Sequence, residues 1–242
     1  MVRIARTGLC SADIHIFQGN YSGEHQPVIP GHESTGHVAR IGSPVTGLAR
    51  GSRSWWIPIS AVAGAVGTAA TRFPRFSIVP KCAIWACTSV AVFAEFATVP
   101  MRLIIPASDL RRHADRGAVV DGTAGLLVVC AARQARVTFG KCVVVMDAGL
   151  IGNLHVQLLR TIEVVPVIAP DISADCRAMV PDCGTDVGTV SEDLRKIVMQ
   201  MTDGRGADIV IASVGHPVLY AKVQGFIRTG DILQSLTVRI LV

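Results

Sequence analysis

The chain has 242 residues, of which half are apolar and 17% are charged, and its formal charge is +5. This composition provides enough apolar side chains for one large core or two smaller ones, and it excludes a globally disordered protein. The Lys and Arg residues are scattered and aromatic residues are scarce, so the positive charge does not indicate a nucleic-acid-binding protein.

Cysteine usage and apolar runs indicate the compartment. The seven cysteines are odd in number and unevenly spaced, which argues against a secreted disulfide framework and for a reducing compartment. A strand-like alternation starts at residue 1 without a signal-peptide pattern, and Gly, Pro or charge interrupts every long apolar run. We therefore predict a soluble, cytoplasmic protein without a membrane span.

The first part of the chain predicts a small, irregular β-barrel. Residues 1–5 alternate like a strand, and residues 37–56 contain short strand-like pieces rich in Val, Ile, Gly and Pro. Residues 93–100 resemble a strand that returns to the same barrel, and residues 103–116 form the passage to a second domain.

Chemically active side chains cluster early in this β domain: Cys10, Asp13, His15, His32 and Glu33. A thiolate, an imidazole and a carboxylate on turns of a β domain suit an open catalytic zinc site. Asp13 is then a candidate for the acid that fixes the tautomer of His32. The alternative is that Cys10 is a small buried apolar residue and His32 an ordinary loop histidine.

The second part of the chain is organised around residues 141–160. Val143–Val145 predict a strand buried on both faces of a parallel sheet, and residues 147–152 then turn the chain. Apolar residues follow at helical spacing, namely Ile151, Leu154, Leu158 and Leu159. Strand, glycine turn and helix begin a dinucleotide-binding unit, whose helix N-terminus offers N–H groups to a pyrophosphate.

The glycine turn departs from the G-x-G-x-x-G pattern at one position. Asp147 holds the place of the first glycine, while Gly149 and Gly152 hold the second and third. Asp171 follows a second predicted strand and lies about twenty residues past the turn, where a carboxylate takes the ribose hydroxyls of NAD. The residues predicted to bind the cofactor are Gly149, Leu150, Ile151, Gly152 and Asp171.

Asp171 has a second interpretation, as a cap of the helix that follows, with Ser173 as a competing cap. As a ribose ligand it favours NAD over NADP, because a carboxylate repels the 2′-phosphate. The second predicted strand itself covers residues 164–169.

Helices and strands alternate through the rest of the chain. We predict helices over 118–132, 192–201 and 219–227, and strands over 208–214 and 230–236. This order indicates a right-handed, doubly wound parallel sheet. Ser213, at the carboxyl end of a strand, lies either at a ligand site or in a plain strand-to-helix turn. The fold class is α/β, with a β-barrel domain over 1–115 and a dinucleotide-binding domain over 116–242.

The order and spacing of these motifs resemble a known family. Residues 7–21, 27–38 and 41–53 are similar to the N-terminal catalytic domain of the zinc-dependent medium-chain alcohol and polyol dehydrogenases, particularly sorbitol- and threonine-dehydrogenase-like members. The similarity continues through the glycine turn, residues 171–173 and residues 202–211. It covers nearly the whole chain and implies a GroES-like β domain followed by a Rossmann domain.

The resemblance also implies roles for individual residues. Cys10 and His32 would be ligands of the catalytic zinc, with Glu33 beside them and Asp121 at the position of a further acid of the family. His15 matches a position that passes a proton from the substrate alcohol to solvent. Ala12 stands where the family usually has a Ser or Thr that contacts the substrate oxygen.

The four structural-zinc cysteines of the family fall on residues that are not cysteine: Ala63, Val66, Ala69 and Ser77. We therefore expect one zinc per chain and no structural zinc. Both ends of the chain are short against the family pattern, which predicts an exposed sheet edge and association into a homo-oligomer.

The predicted activity is reversible, zinc- and NAD-dependent oxidation of a small secondary alcohol or polyol, with no nucleic acid or membrane as partner. One alternative is a degenerate relative that binds nucleotide or a partner protein without turnover, which Ala12 and Asp147 favour. Another is a zinc-free reductase of the same superfamily, although such a protein needs no Gly31-His32-Glu33 motif.

Overall fold

The computed structural model describes residues 1–19, 29–43, 45–56, 92–101, 104–106, 115–189, 193–213 and 217–235. The chain forms two compact units, Met1–Leu126 and Leu127–Val242. The division falls inside the long helix α2 (Asp115–Gln134). The domain boundary expected after residue 115 stays a prediction.

The N-terminal unit contains a five-stranded antiparallel sheet. Its strands are β1 (Val2–Thr7), β2 (Ser34–Val38), β3 (Arg53–Trp56), β4 (Phe96–Ala97) and β5 (Ile104–Pro106), in the spatial order β4-β1-β2-β3-β5. The register pairs Thr7 with Ser34 and Val2 with Val38. Buried apolar side chains on this sheet and beside it form the unit's core: Val2, Val92, Ala97 and Val99.

This unit differs from the sequence-based expectation at three places. Ser11–Phe17 forms helix α1, where only a turn was expected. The strand expected over 93–100 is limited to Phe96–Ala97, and the expected passage to the second domain contains β5, which pairs with β3. Both strand differences depend on pairing with distant segments, which local alternation does not specify.

The C-terminal unit contains a five-stranded parallel sheet in the order β10-β9-β6-β7-β8. Its strands are β6 (Val143–Met146), β7 (Val167–Pro170), β8 (Val187–Thr189), β9 (Ala207–Ala212) and β10 (Ile227–Ser235). The helices between them are α3 (Leu150–Thr161), α4 (Ala174–Met179), α5 (Leu194–Met201) and α6 (Pro217–Val223). A short 3₁₀ turn covers Pro181–Cys183.

Alternating side chains of β6 enter two different cores. Val143 and Val145 pack in one apolar cluster with residues of α3, whereas Val144 and Met146 pack in a second cluster with residues of α5. Helices therefore cover both faces of the sheet, which explains why its central strand has no polar position. The doubly wound architecture is confirmed.

Element ends shift by a few residues from the expected positions. The strand expected from residue 164 begins at Val167, directly after Pro166, whose carbonyl accepts a hydrogen bond from Val143 N–H. The helix expected from residue 219 covers Pro217–Val223, and the last strand begins at Ile227 rather than Gly230. Ser191, which precedes the helix expected over 192–201 and is a candidate for its cap, lies outside the described residues, as do residues 236–242.

In the part of the chain that the structure describes, every helix is too short or too polar to cross a membrane.

Candidate functional site

Strand pairing brings the two halves of the candidate metal site together. Thr7, the last residue of β1, is paired with Ser34, the first residue of β2. The Gly8 N–H also donates a hydrogen bond to the Glu33 carbonyl over 2.8 Å, which extends the pairing toward the site. Cys10 follows β1 and His32 precedes β2, so the antiparallel register places the two segments side by side.

Cys10, His32 and Glu33 present ligand atoms that all lie within 4.8 Å of one another. All three residues are half-buried. A thiolate, an imidazole and a carboxylate at this separation are a donor set that Zn²⁺ accepts, and three protein ligands leave a position for substrate or water. The residues present fit a catalytic-type zinc ion.

Asp13 links the segment that contains Cys10 to the segment that contains His32 through hydrogen bonds to both. Its carboxylate accepts a hydrogen bond from Cys10 N–H (2.9 Å) and another from Gly31 N–H (3.0 Å), and the residue is 3% exposed. The same carboxylate lies 3.4 Å from His32 Nδ1. Because Asp13 faces Nδ1, the other ring nitrogen of His32, Nε2, is the one left for a metal ion.

Charge crowding in this cluster shifts two pKa values. Burial acts to lower the pKa of His32, but the hydrogen bond and charge of Cys10, with the charges of Asp13 and Glu33, outweigh it and raise that pKa. Burial raises the pKa of Glu33, and Asp13 adds to this effect against the opposing influence of His32 and Cys10. Cys10, Asp13 and Glu33 are acidic groups close to the His32 imidazole, and a bound divalent cation would stabilise their charged forms.

Helix α1 carries the remaining predicted catalytic residue. His15 is half-buried, and its Nδ1 atom is buried without a hydrogen-bond partner among the described residues. Ala12 lies one turn earlier on the same helix and is half-buried. Of Asp121, the structure describes only the backbone, within α2, so its predicted contact with a metal lies outside the described side chains. The four positions that correspond to the family's structural-zinc cysteines, residues 63, 66, 69 and 77, also lie outside the described residues.

The glycine turn keeps its expected geometry despite the missing first glycine. Asp147 has a φ of 79°, in the left-handed region that favours glycine. A Cβ atom added to Gly152 would collide with the Asp147 carbonyl oxygen, so a residue with no side chain is required there. Gly149 is the N-cap of α3, and Leu150, the first helical residue, is exposed. The turn thus has the close helix–strand packing for which the third glycine is needed.

Asp171 contacts the glycine turn directly. One carboxylate oxygen accepts a hydrogen bond from Ala148 N–H (2.7 Å) and the other accepts one from Ser173 N–H (2.7 Å). Ser173, not Asp171, is the N-cap of α4, because its Oγ accepts a hydrogen bond from Cys176 N–H. The acid is therefore held at the carboxyl ends of β6 and β7, where such sheets bind ligands.

Comparison with known proteins supports one family across both units. Residues 1–109 match the sequence profile of the alcohol dehydrogenase GroES-like domain. The chain is 27% identical to the L-threonine 3-dehydrogenase of Pyrococcus horikoshii over 90% of its length and 62% of that protein. It is 26% identical to the D-arabitol-phosphate dehydrogenase of Enterococcus avium over 97% of its length and 66% of that protein.

Solved structures show the same fold. Zinc dependent alcohol dehydrogenase 2 from Streptococcus pneumonia superposes with a TM-score of 0.82 at 20% identity, covering 100% of this chain and 69% of that one. The alcohol dehydrogenase of Aeropyrum pernix gives a TM-score of 0.80 at 24% identity, covering 96% of this chain and 69% of that one. These findings together support the zinc-dependent medium-chain dehydrogenase/reductase family. It spans 62% of the length of the threonine dehydrogenase that it matches.

Two features of this dehydrogenase relative were not foreseen from its sequence. Gly31 has a φ of 103°, and a Cβ atom there would lie 2.8 Å from a Val92 methyl group, so the loop before His32 packs tightly against the segment that precedes β4. The Asp147 carboxylate accepts a hydrogen bond from Gly149 N–H over 3.3 Å. Asp adopts a positive φ more readily than most residues, and its side chain can accept a hydrogen bond from the backbone two residues on; the signal in the sequence was therefore the Asp at the first glycine position.

Proposed function

We propose that this chain carries out zinc- and NAD-dependent oxidation of a secondary alcohol or polyol to a ketone, and the reverse reduction. The observation that carries the proposal is the cluster of Cys10, His32 and Glu33, whose ligand atoms lie within 4.8 Å of one another. The matched relatives are named as threonine, arabitol-phosphate and sorbitol dehydrogenases, whose names denote oxidation of hydroxyl-bearing substrates.

The chain's own residues would divide the work as follows. Cys10, His32 and Glu33 hold the zinc ion, with Asp121 as a further acid, while Asp13 keeps His32 oriented through Nδ1. A zinc ion bound there would supply Lewis acidity toward an alcohol hydroxyl, and bound NAD would supply the hydride acceptor. His15, on the helix that follows Cys10, carries the released proton to solvent.

The nucleotide would bind at the glycine turn of the second unit. Gly149, Leu150, Ile151 and Gly152 present the start of α3 to the pyrophosphate, and Asp171 takes the ribose hydroxyls. The position of Asp171 at the turn, held by Ala148 N–H, supports this assignment.

The metal content tests the proposal first. We expect one zinc ion per chain by elemental analysis, lost in Cys10→Ser and kept in Cys130→Ser, a half-buried cysteine on α2 outside the cluster. Both variants should retain the far-ultraviolet circular dichroism of the unmodified protein. A folded protein without zinc would contradict the mechanism, and two zinc ions would contradict the expectation of no structural zinc.

A second candidate function is nucleotide binding without turnover. Ala12 removes a hydroxyl group beside the site, and Asp147 places a carboxylate on the glycine turn. Protein that holds one zinc ion and binds NADH, but reduces no NAD with a panel of secondary alcohols and polyols, would favour this candidate. Self-association and a cytoplasmic location stay predictions.

A further inference from the structure

The side chain of Asp147 occupies the surface that the glycine turn normally leaves bare. Its Oδ2 atom accepts a hydrogen bond from Gly149 N–H, and a Cβ atom added to Gly149 would lie 3.1 Å from that oxygen. The carboxylate therefore lies directly against the Cα atom of Gly149. In dinucleotide-binding turns, this second glycine is bare so that the backbone can approach the pyrophosphate.

The carboxylate also engages the group that a phosphate would use. Gly149 is the N-cap of α3, a helix of twelve residues, so its N–H points from the positive end of the helix dipole. Phosphate oxygens bind such free N–H groups at helix N-termini. In this chain a side-chain oxygen already accepts the Gly149 N–H.

A second carboxylate lies next to the first. Asp171 is 6% exposed and is fixed by Ala148 N–H and Ser173 N–H. Ala148 N–H and Gly149 N–H, on consecutive residues, donate to Asp171 and Asp147 respectively, so the two acids are close. Burial, followed by the charge of Asp171, raises the pKa of Asp147. An incoming pyrophosphate would meet the charge of Asp147 in addition to that of the ribose-binding acid.

We propose that Asp147 is an affinity- and specificity-determining residue that acts as an internal substitute for the dinucleotide pyrophosphate. A phosphate-bearing ligand must displace its carboxylate from Gly149 N–H, whereas a nucleoside without phosphates does not. This inference rests on the proposed nucleotide site. According to this inference, Asp147 lowers the affinity for ligands that carry phosphate groups and does not change the affinity for adenosine.

The test compares ADP-ribose with adenosine on the full-length chain at one pH and salt concentration. Asp147→Asn keeps the side-chain shape and removes the charge, and Asp147→Gly restores the bare turn at a backbone φ that suits glycine. Asp175→Asn, an exposed acid in the first turn of α4, removes the same charge nearby and serves as the control.

Both Asp147 variants should bind ADP-ribose about tenfold more tightly than the unmodified chain, the effect of losing one competing charged hydrogen bond. Adenosine affinity and the Asp175→Asn control should not change. Asp171→Asn should weaken both ligands, because the ribose contact is common to them. Calorimetric titration measures the affinity for ADP-ribose, and nuclear magnetic resonance titration measures the affinity for adenosine.

The outcomes separate this inference from the proposed function. Equal ADP-ribose affinity in the unmodified chain and the Asp147 variants would overturn the inference and leave the nucleotide site standing. Parallel tightening of adenosine would also overturn it, since the effect would not depend on phosphate. Failure of every variant to bind ADP-ribose would overturn the proposed NAD site and the inference together, while the zinc measurement would remain a separate test.

Discussion

At the scale of single residues, Gly152 controls how closely α3 approaches the end of β6. Its Cα faces the Asp147 carbonyl oxygen so closely that an added Cβ atom would overlap it, and that Cβ would also lie 3.5 Å from a Val145 methyl group. Backbone cannot move aside as the end of a flexible side chain can. The absence of a side chain at this position is therefore a packing requirement and not a matter of flexibility.

We expect Gly152→Ala to lower the free energy of unfolding by about 2–3 kcal/mol, the range for overpacking a tight site. Gly125→Ala is the matched control in α2: an added Cβ meets nothing within 4 Å, so helix propensity should make that variant more stable by up to about 1 kcal/mol. Urea denaturation followed by circular dichroism compares the two. Equal changes in both variants would contradict the packing explanation.

At the scale of elements, a single carboxylate ties together three neighbouring strands of the parallel sheet. Asp208, on β9, accepts a hydrogen bond from Cys142 N–H (2.8 Å), just before β6. Its other oxygen lies 3.3 Å from the Arg228 guanidinium on β10 and 3.6 Å from Lys141 Nζ. Asp208 is buried, whereas Lys141 and Arg228 are partly exposed, so the hydrogen bond should contribute more than the screened ion pairs.

This ranking predicts different effects for two substitutions. Asp208→Asn keeps an acceptor for Cys142 N–H but loses the charge and the acceptor for Arg228; because Lys141 and Arg228 are partly exposed, this should lower the free energy of unfolding by about 1 kcal/mol. Asp208→Ala leaves a buried N–H without an acceptor and should lower it by about 2 kcal/mol. Urea denaturation at low and high salt measures both. A larger loss for Asn than for Ala would contradict the ranking.

Helix α3 shows why an apolar pattern does not by itself define a buried face. Ile151, Leu154 and Leu158 were expected on that face, but they are only half-buried. The fully buried side of the helix consists of Gly152, His155, Val156 and Leu159. Because Gly152 must contact the end of β6, the rotation of the helix is set there, and the remaining residues of its buried stripe follow.

At the scale of the whole molecule, His155 makes stability depend on acidity. Its side chain is fully buried, and neither ring nitrogen has a hydrogen-bond partner among the described residues. Burial lowers the pKa of His155 from 6.5 to about 4. The folded chain therefore keeps this imidazole neutral at pH values where the unfolded chain binds a proton.

Stability should fall as the pH drops from about 6.5 to about 4, by up to about 1.4 kcal/mol per pH unit from this residue. Well above pH 6.5 the imidazole is neutral in both states and contributes no pH dependence. His155→Leu should remove this component and leave the contribution of the carboxylates. Urea denaturation of both proteins from neutral to mildly acidic pH measures the difference, and parallel curves would contradict the assignment.

The sequence alone indicated the alternation of strands and helices in the C-terminal unit and the resemblance to a dehydrogenase family. A β-branched run bounded by a glycine turn predicted β6 and α3, because buried parallel strands and helix starts leave local patterns. The residues of the candidate site were recognisable for the same reason: each motif is continuous in the chain.

Only the tertiary structure decided which of these groups meet. Cys10 reaches His32 and Glu33 through the register of β1 with β2, and Asp13 bonds Gly31 across that junction. The contact of Asp171 with the glycine turn likewise depends on β6 lying beside β7. Strand register and helix rotation arise from contacts between segments far apart in the chain, and no local pattern of residues specifies them.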